Sequence, residues 1–431
     1  MRVNQNISGR KNEQGIIITL VAVFMLFVVG AMAALSIDVV TLYTARSEAQ
    51  LAADAAALAA ARVLANSGAT SDPNSLSDGL MTSAWGLAQT VALQAAEQNQ
   101  VGGTNLTAAQ VILPPTGPGG TSANPTVTVK VQVTTLPTFF ARIWGTKFVT
   151  VAASATAEAY NPSGVAGTTP VAPICVKPWL LPNIDPSTGN TIFDPNSGAI
   201  NPGSSLLGWS SSTWFTGTPL QTACSNCSSP PPLPNPTAWK YYPGDPATFA
   251  PPTQALPTCA PAITTAYEES IAGCIQTPIA CNSQANIDTR DYPTRKTETA
   301  RAVNCLTHAN TNQGDQVDPA NARPPFQFLA GDDNPIAGLA GNDVMVSDSL
   351  VTVPVFDVPT PFSPPPNPVQ IVGFVQLFLN PNGMATPTFG LNRGAVNTTV
   401  INLAGCGIAS TGQPILGNGA SPVAVRLISP P

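Results

Sequence analysis

Between Ile16 and Ile37 the chain runs for 22 residues without a charge, as IIITLVAVFMLFVVGAMAALSI. At about 1.5 Å per residue, a helix of that length can cross a hydrocarbon layer roughly 30 Å thick. Arg2, Arg10 and Lys11 precede the run against a single acid, Glu13, and Asp38 ends it. Three structures accommodate such a run: a retained membrane helix, a cleaved signal peptide and a buried core helix. The basic start and Ala31-Met32-Ala33 fit a small-x-small cleavage site. Helical pattern nevertheless continues through Asp38 to Asn66 without a Gly or Pro break, so the expectation is a retained helix over 16–37. The positive-inside rule then makes residues 1–15 a cytoplasmic tail and places everything after Asp38 outside.

Residues 38–66, DVVTLYTARSEAQLAADAAALAAARVLAN, are dominated by Ala, the strongest helix former. Ala45, Ala49, Ala53, Ala57 and Ala61 recur every four residues and so share one helix face. Small side chains there let another backbone approach closely. The spacing therefore predicts a packing face, for the chain's own second helix or for another subunit. Apolar positions in 76–98 repeat with helical period. Val127, Val129, Val131 and Val133 alternate with polar residues, the pattern of a half-buried strand. Leu136–Gly145 reads as a short helix and 147–159 as a second strand. Phe139, Phe140, Ile143 and Trp144 are expected in the core.

These residues carry a family resemblance. An NEQG turn at Asn12–Gly15 precedes the apolar helix. Asp38 and Tyr43 follow it in an Asp-x-x-x-x-Tyr step, and Gln50 to Ala59 reads QLAADAAALA, with Asp54 at its centre. The segment resembles the N-terminal module of TadE/TadG-like Flp (Tad) pilus-assembly proteins, as does the strand, short aromatic helix and strand that come after it. The fifth residue after Gly15 is Leu20, where pilin-like processing needs an acid, so the resemblance is closest to the TadG-like, uncleaved branch. It implies a structural or assembly component of a Tad pilus or secretion system, anchored in a bacterial inner membrane, with membrane lipid and other pilus-assembly subunits as partners. Some TadG-like proteins carry a von Willebrand A domain. Its Asp-x-Ser-x-Ser string is absent here, and Asp185-Pro-Ser187 is the nearest approach.

Composition changes near residue 160. Of 45 Pro, 6 lie in residues 1–160 and 39 beyond. Pro at that density removes backbone donors and excludes long helices. Runs rich in Val, Ile or Phe at 174–181, 349–358, 369–379, 398–405 and 422–428 read as strands. A β-rich exported domain over 161–431 is expected, after a helical rod and small α/β unit over 38–160. The fold class is α+β. Asp185-Pro and Asp194-Pro start two similar turns nine residues apart. A shared Ca²⁺ is conceivable at these two acids, but Asp is what such turns use anyway.

All eight Cys follow residue 170: Cys175, Cys224, Cys227, Cys259, Cys274, Cys281, Cys305 and Cys406. An even number confined to the exported half predicts disulfides in an oxidising compartment, with the pairing open. Cys224-Ser-Asn-Cys227 lacks the second pair that a zinc ribbon requires. Chemistry has little else to use. The one His, His308, lies near Cys305. Asp332-Asp333 and Glu268-Glu269 read as solvated faces. No catalytic, cofactor-binding or metal set is expected. Charged residues make up 9% of the chain and the net charge is −6, which leaves no basic surface for nucleic acid. The alternative from another class is a membrane-anchored or secreted surface binding module or adhesin.

Overall fold

The computed structural model describes residues 10–428 apart from 73–74, 76–78, 165–168, 186–187, 202–205, 207–218, 223–239, 253–255, 257–258, 260–261, 289–291, 309–311, 322, 358–367, 385–395, 408–412 and 417–420. The fold is α+β. The chain forms two compact units that interleave in sequence. One comprises Met1–Ala56, Leu93–Leu113 and Val129–Ala155, the other Ala57–Ala92, Pro114–Thr128 and Thr156–Pro431.

Helix α1 (Arg10–Asn66) runs unbroken for 57 residues. No Pro interrupts it, and Gly68, at φ 84°, follows its end as the left-handed residue a helix stop favours. Its surface changes character along its length. From Ile16 to Val40 nearly all the large apolar side chains stand exposed, whereas from Ala45 onward most of the alanines are buried, Ala55 and Ala59 being partly open. Helix α2 (Leu80–Glu97) buries Met81, Ala84, Trp85, Ala88, Ala92 and Ala96.

Strands β1 (Pro125–Pro137) and β2 (Phe148–Tyr160) are sheet neighbours joined through a 3₁₀ turn at Ala141–Trp144. In β1, Val127, Val129, Val131 and Val133 are buried while alternate residues are more open, as a one-sided strand requires. In the first unit Val111–Ile112 pairs with β1.

The Pro-rich half adds β3 (Trp179–Pro182), β4 (Pro219–Thr222), β5 (Lys240–Pro243), α3 (Ala266–Ala272), α4 (Tyr292–Leu306), β6 (Leu350–Phe356), β7 (Val369–Leu379), β8 (Val396–Gly405) and β9 (Ala424–Ile428). Six of these strands close a ring in the order β7-β6-β3-β5-β4-β8, with β8 pairing back onto β7. The β6–β3 and β5–β4 pairs are parallel and the others antiparallel. Closure removes exposed strand edges. Strand β6 is buried at every position and β8 at nearly all, so neither alternates between apolar and polar; β6 is apolar except for Thr352, and β8 buries Thr398, Thr399 and Asn402 among its apolar residues. One core cluster takes Val351, Val353 and Val355 of β6 with Trp179, Leu181, Tyr241, Leu377 and Leu403. The opposite parity, Leu180, Tyr242 and Phe374, belongs to a second cluster. Strand β9 leaves this ring and pairs with β2, Ala424 opposite Tyr160 and Ile428 opposite Thr156.

Helices α3 and α4 are short, 7 and 15 residues, and form where Pro permits them. Pro293 sits in the first turn of α4, where its missing N–H has no helical partner to lose, and the next Pro is Pro319. Thr265 and Glu268 form a capping box that starts α3.

The tandem Asp-Pro turns repeat their hydrogen bonds. Asp185 N donates to Asn190 O and Gly189 N to Asp185 O; nine residues on, Asp194 N donates to Ala199 O and Gly198 N to Asp194 O. Gly198 has φ 72°, and a Cβ there would strike the backbone of Cys406 and Gly407. Asp194 Oδ1 accepts from Asn196 N and Ser197 N, which holds its carboxyl below the ordinary value.

Three disulfides tie this half together: Cys175–Cys274, Cys259–Cys305 and Cys281–Cys406. Cys224 and Cys227 lie outside the described residues.

Candidate functional site on the long helix

The residues that carry the family signature all project from α1, within the first unit up to Asp54. Asp38 is buried, 3% exposed, at the point where the uncharged run ends. Its carboxylate lies against the turn that follows β1. Oδ1 accepts from Phe139 N at 2.9 Å, and Oδ2 accepts from Phe140 N at 3.0 Å and Ala141 N at 2.6 Å. Burial pushes this carboxyl up, but donation from Ala141, Phe139 and Phe140 outweighs it and holds the group below its ordinary range.

Tyr43, one and a half turns further on, is 78% exposed. It lines a shallow groove with Val39, Leu42 and Arg46 of the helix and Val149–Ala152 of β2. Glu48 Oε2 accepts from Gly102 N at 2.7 Å. Gln50 Nε2 donates to Asp54 Oδ1 at 2.7 Å and to Ser154 O at 3.2 Å, so Gln50 and Asp54 are held together on one side of the helix. Ala45, Ala49, Ala53, Ala57 and Ala61 are each exposed by 1% or less, and Ala52, Ala56 and Ala60 are buried beside them. Residues of the same chain cover these positions.

The turn after β1 corrects the sequence reading. Phe139, Ile143 and Trp144, expected in the core, are 63%, 74% and 62% exposed. An apolar residue type reports a preference for leaving water, not which apolar medium receives it.

At the far end of α1, in the second unit, a buried polar network appears that the sequence reading missed. Asn402 Nδ2 donates to Ala65 O at 2.6 Å and to Gln376 Oε1 at 2.5 Å. Ser71 Oγ bonds Asn402 Oδ1 and accepts from Leu403 N at 2.9 Å. Asn161 Nδ2 donates to Thr70 O and Leu403 O. The available signal was Asn402 itself, an amide inside the apolar run VINLAG.

One other group corrects the sequence reading. Glu268 is buried rather than solvated: Oε2 accepts from Thr264 N and Thr265 N, and Oε1 pairs with Arg301 Nε at 2.8 Å. Cys305, expected in a disulfide, is bonded to Cys259, and His308 Nε2 meets Asp348 Oδ2 at 3.1 Å. That hydrogen bond raises the His308 pKa. Burial and the nearby Asp315 push Asp333 up to about 6. Among the described residues no group of three or more His, Cys, Asp or Glu is placed to hold a metal.

No curated protein and no solved structure matches the chain. The Tad family model, described as Flp pilus-assembly TadE/G-like, matches residues 17–63, the stretch of α1 that holds the apolar run, Asp38, Tyr43, Gln50, Asp54 and the alanine face. Over residues 17–63, and over those alone, the chain is therefore similar to the TadE/G-like Flp pilus-assembly family.

Proposed function

We propose that the chain is a structural component of a Tad pilus or secretion system, closest to the TadG-like branch. Ile16–Ile37 spans the inner membrane once, residues 1–15 stay in the cytoplasm, and the ring-sheet domain is exported. One observation carries the reading. The helix matched by the family model presents an uninterrupted exposed apolar surface over its first half, and it alone among the described residues is long and apolar enough to cross a membrane. Three disulfides, all beyond residue 170, support export, because such bonds persist in oxidising compartments. The buried alanine face supports a rod-like stem: small side chains let other segments of the chain lie close against the helix. Other pilus-assembly subunits are the expected partners.

N-terminal sequencing of the protein from the membrane fraction tests the anchor. An intact N-terminus is expected. A start at Ile16 would mean pilin-like processing, and a start at Ala34 would mean that the apolar run is a removed signal peptide.

A further inference from the structure

The exposed apolar surface of the first unit does not end with the helix. The turn linking β1 to β2 carries Phe139, Ile143, Trp144 and Phe148, each more than half exposed, with exposed Arg142 and Lys147 among them. Four large apolar side chains clustered on one solvent-facing turn form the kind of patch that marks an interaction surface. Its position is fixed. The three N–H bonds to Asp38 hold the turn beside α1 at the level where the uncharged run stops. The 22 residues before Asp38 rise about 33 Å as a helix, close to the thickness of the hydrocarbon layer. Asp38 and the turn it holds therefore fall at the headgroup level of the leaflet from which α1 emerges.

We propose that the turn over 139–148 is a second membrane contact. Phe139, Ile143, Trp144 and Phe148 enter the boundary between headgroups and acyl chains, while Arg142 and Lys147 meet lipid phosphate. This rests on the membrane-spanning reading of α1. A bilayer is favoured as the occupant because the patch continues the exposed apolar surface of Ile16–Val40. Aromatic side chains with flanking cations are also the chemistry that membrane interfaces select. The carboxylate of Asp38, which lipid would repel, is turned inward and met by three donors. The contact fixes the angle at which the helix leaves the membrane, since one helix alone is free to tilt.

The full-length protein is reconstituted into phosphatidylethanolamine and phosphatidylglycerol vesicles whose acyl chains are brominated at shallow or at deep positions. Tryptophan fluorescence is compared between the wild type and W144F, with flotation run in parallel. Both proteins are expected to float with the vesicles. Wild-type emission is expected to be quenched more by shallow bromine than W144F emission, and the difference is expected to shrink with deep bromine. Equal quenching of wild type and W144F in vesicles that float both proteins would overturn the contact while leaving the anchor standing. Trp144 emission shielded from aqueous acrylamide but untouched by bromine would assign the patch to a protein partner, and also overturn it. Failure of both proteins to float would remove the anchor, and the inference with it.

Discussion

Asp38 sits where an uncharged helix run ends, and an ionised carboxylate taken out of water is costly unless donors meet it. Three backbone N–H groups do so. Hydrogen bonds to charged groups contribute about 1.5–3 kcal/mol, so Asp38→Asn, with one acceptor oxygen in place of two, is expected to lower stability by about that amount. Denaturant unfolding in detergent measures it, and an unchanged midpoint would mean that the bonds do not hold the turn. Because the folded carboxyl titrates below its ordinary value, its contribution is present above that value and lost as the pH falls through the lower, folded one. Lys177 gives the same sign in a higher pH window, and for a different reason. It is buried and donates to Ile271 O at 2.6 Å and Gly273 O at 2.7 Å, satisfying carbonyls at the end of α3. Burial pulls its pKa down from 10.5 to about 7. Between those values the unfolded chain holds a proton that the folded one has released, so stability rises with pH, approaching about 1.4 kcal/mol per pH unit. Lys177→Met is expected to flatten that rise, as urea titrations across this window would reveal. Lys177 was not legible in the sequence, because its partners lie 94 and 96 residues along the chain; Glu268 had a local signal in the Thr265-x-x-Glu268 capping box, and only its pairing with Arg301 was out of reach.

At the scale of elements, periodicity was legible wherever one face met one medium. Val127 to Val133 announced β1 through alternation, and the fourfold spacing of Ala45 to Ala61 coincides with buried positions on α1. The aromatic turn was misread because Phe139 and Trp144 have the same composition whether they face core, lipid or water. Ring closure was not legible either. Strands β4 and β5 are four residues each and carry Pro219 and Pro243 at their ends. Parallel pairing of such short pieces is decided by the rest of the ring. The alanine face makes a steric prediction. Ala53 is fully buried, and Ala53→Leu adds three carbons where no space is left, at a cost of about 1–3 kcal/mol. Lower membrane-fraction levels on immunoblots are expected, and Ala53→Gly, which adds no bulk, is expected to lose less. Wild-type levels of Ala53→Leu would argue that the face is loosely covered.

For the whole molecule, the change of composition near residue 160 marks where Pro becomes dense and Cys begins, but structural units do not follow it. Strand β9, beyond that boundary, pairs with β2, which lies before it. The disulfides close long stretches, Cys281 to Cys406 spanning 125 residues. A constraint of that length restricts mainly the unfolded chain and contributes roughly 2–5 kcal/mol. Cys281→Ser with Cys406→Ser is therefore expected to sensitise the C-terminal half to protease at denaturant concentrations the wild type withstands. The pairing was open in the sequence because eight cysteines allow many connectivities. The central claim is topological: one span at Ile16–Ile37, with the rest exported. Protease digestion of intact spheroplasts tests it most directly, using an antibody against residues 1–15 and another against the C-terminal half. The account predicts that the C-terminal half is degraded while a short fragment bearing residues 1–15 is protected until the membrane is lysed. Protection of the C-terminal half in intact spheroplasts would contradict it.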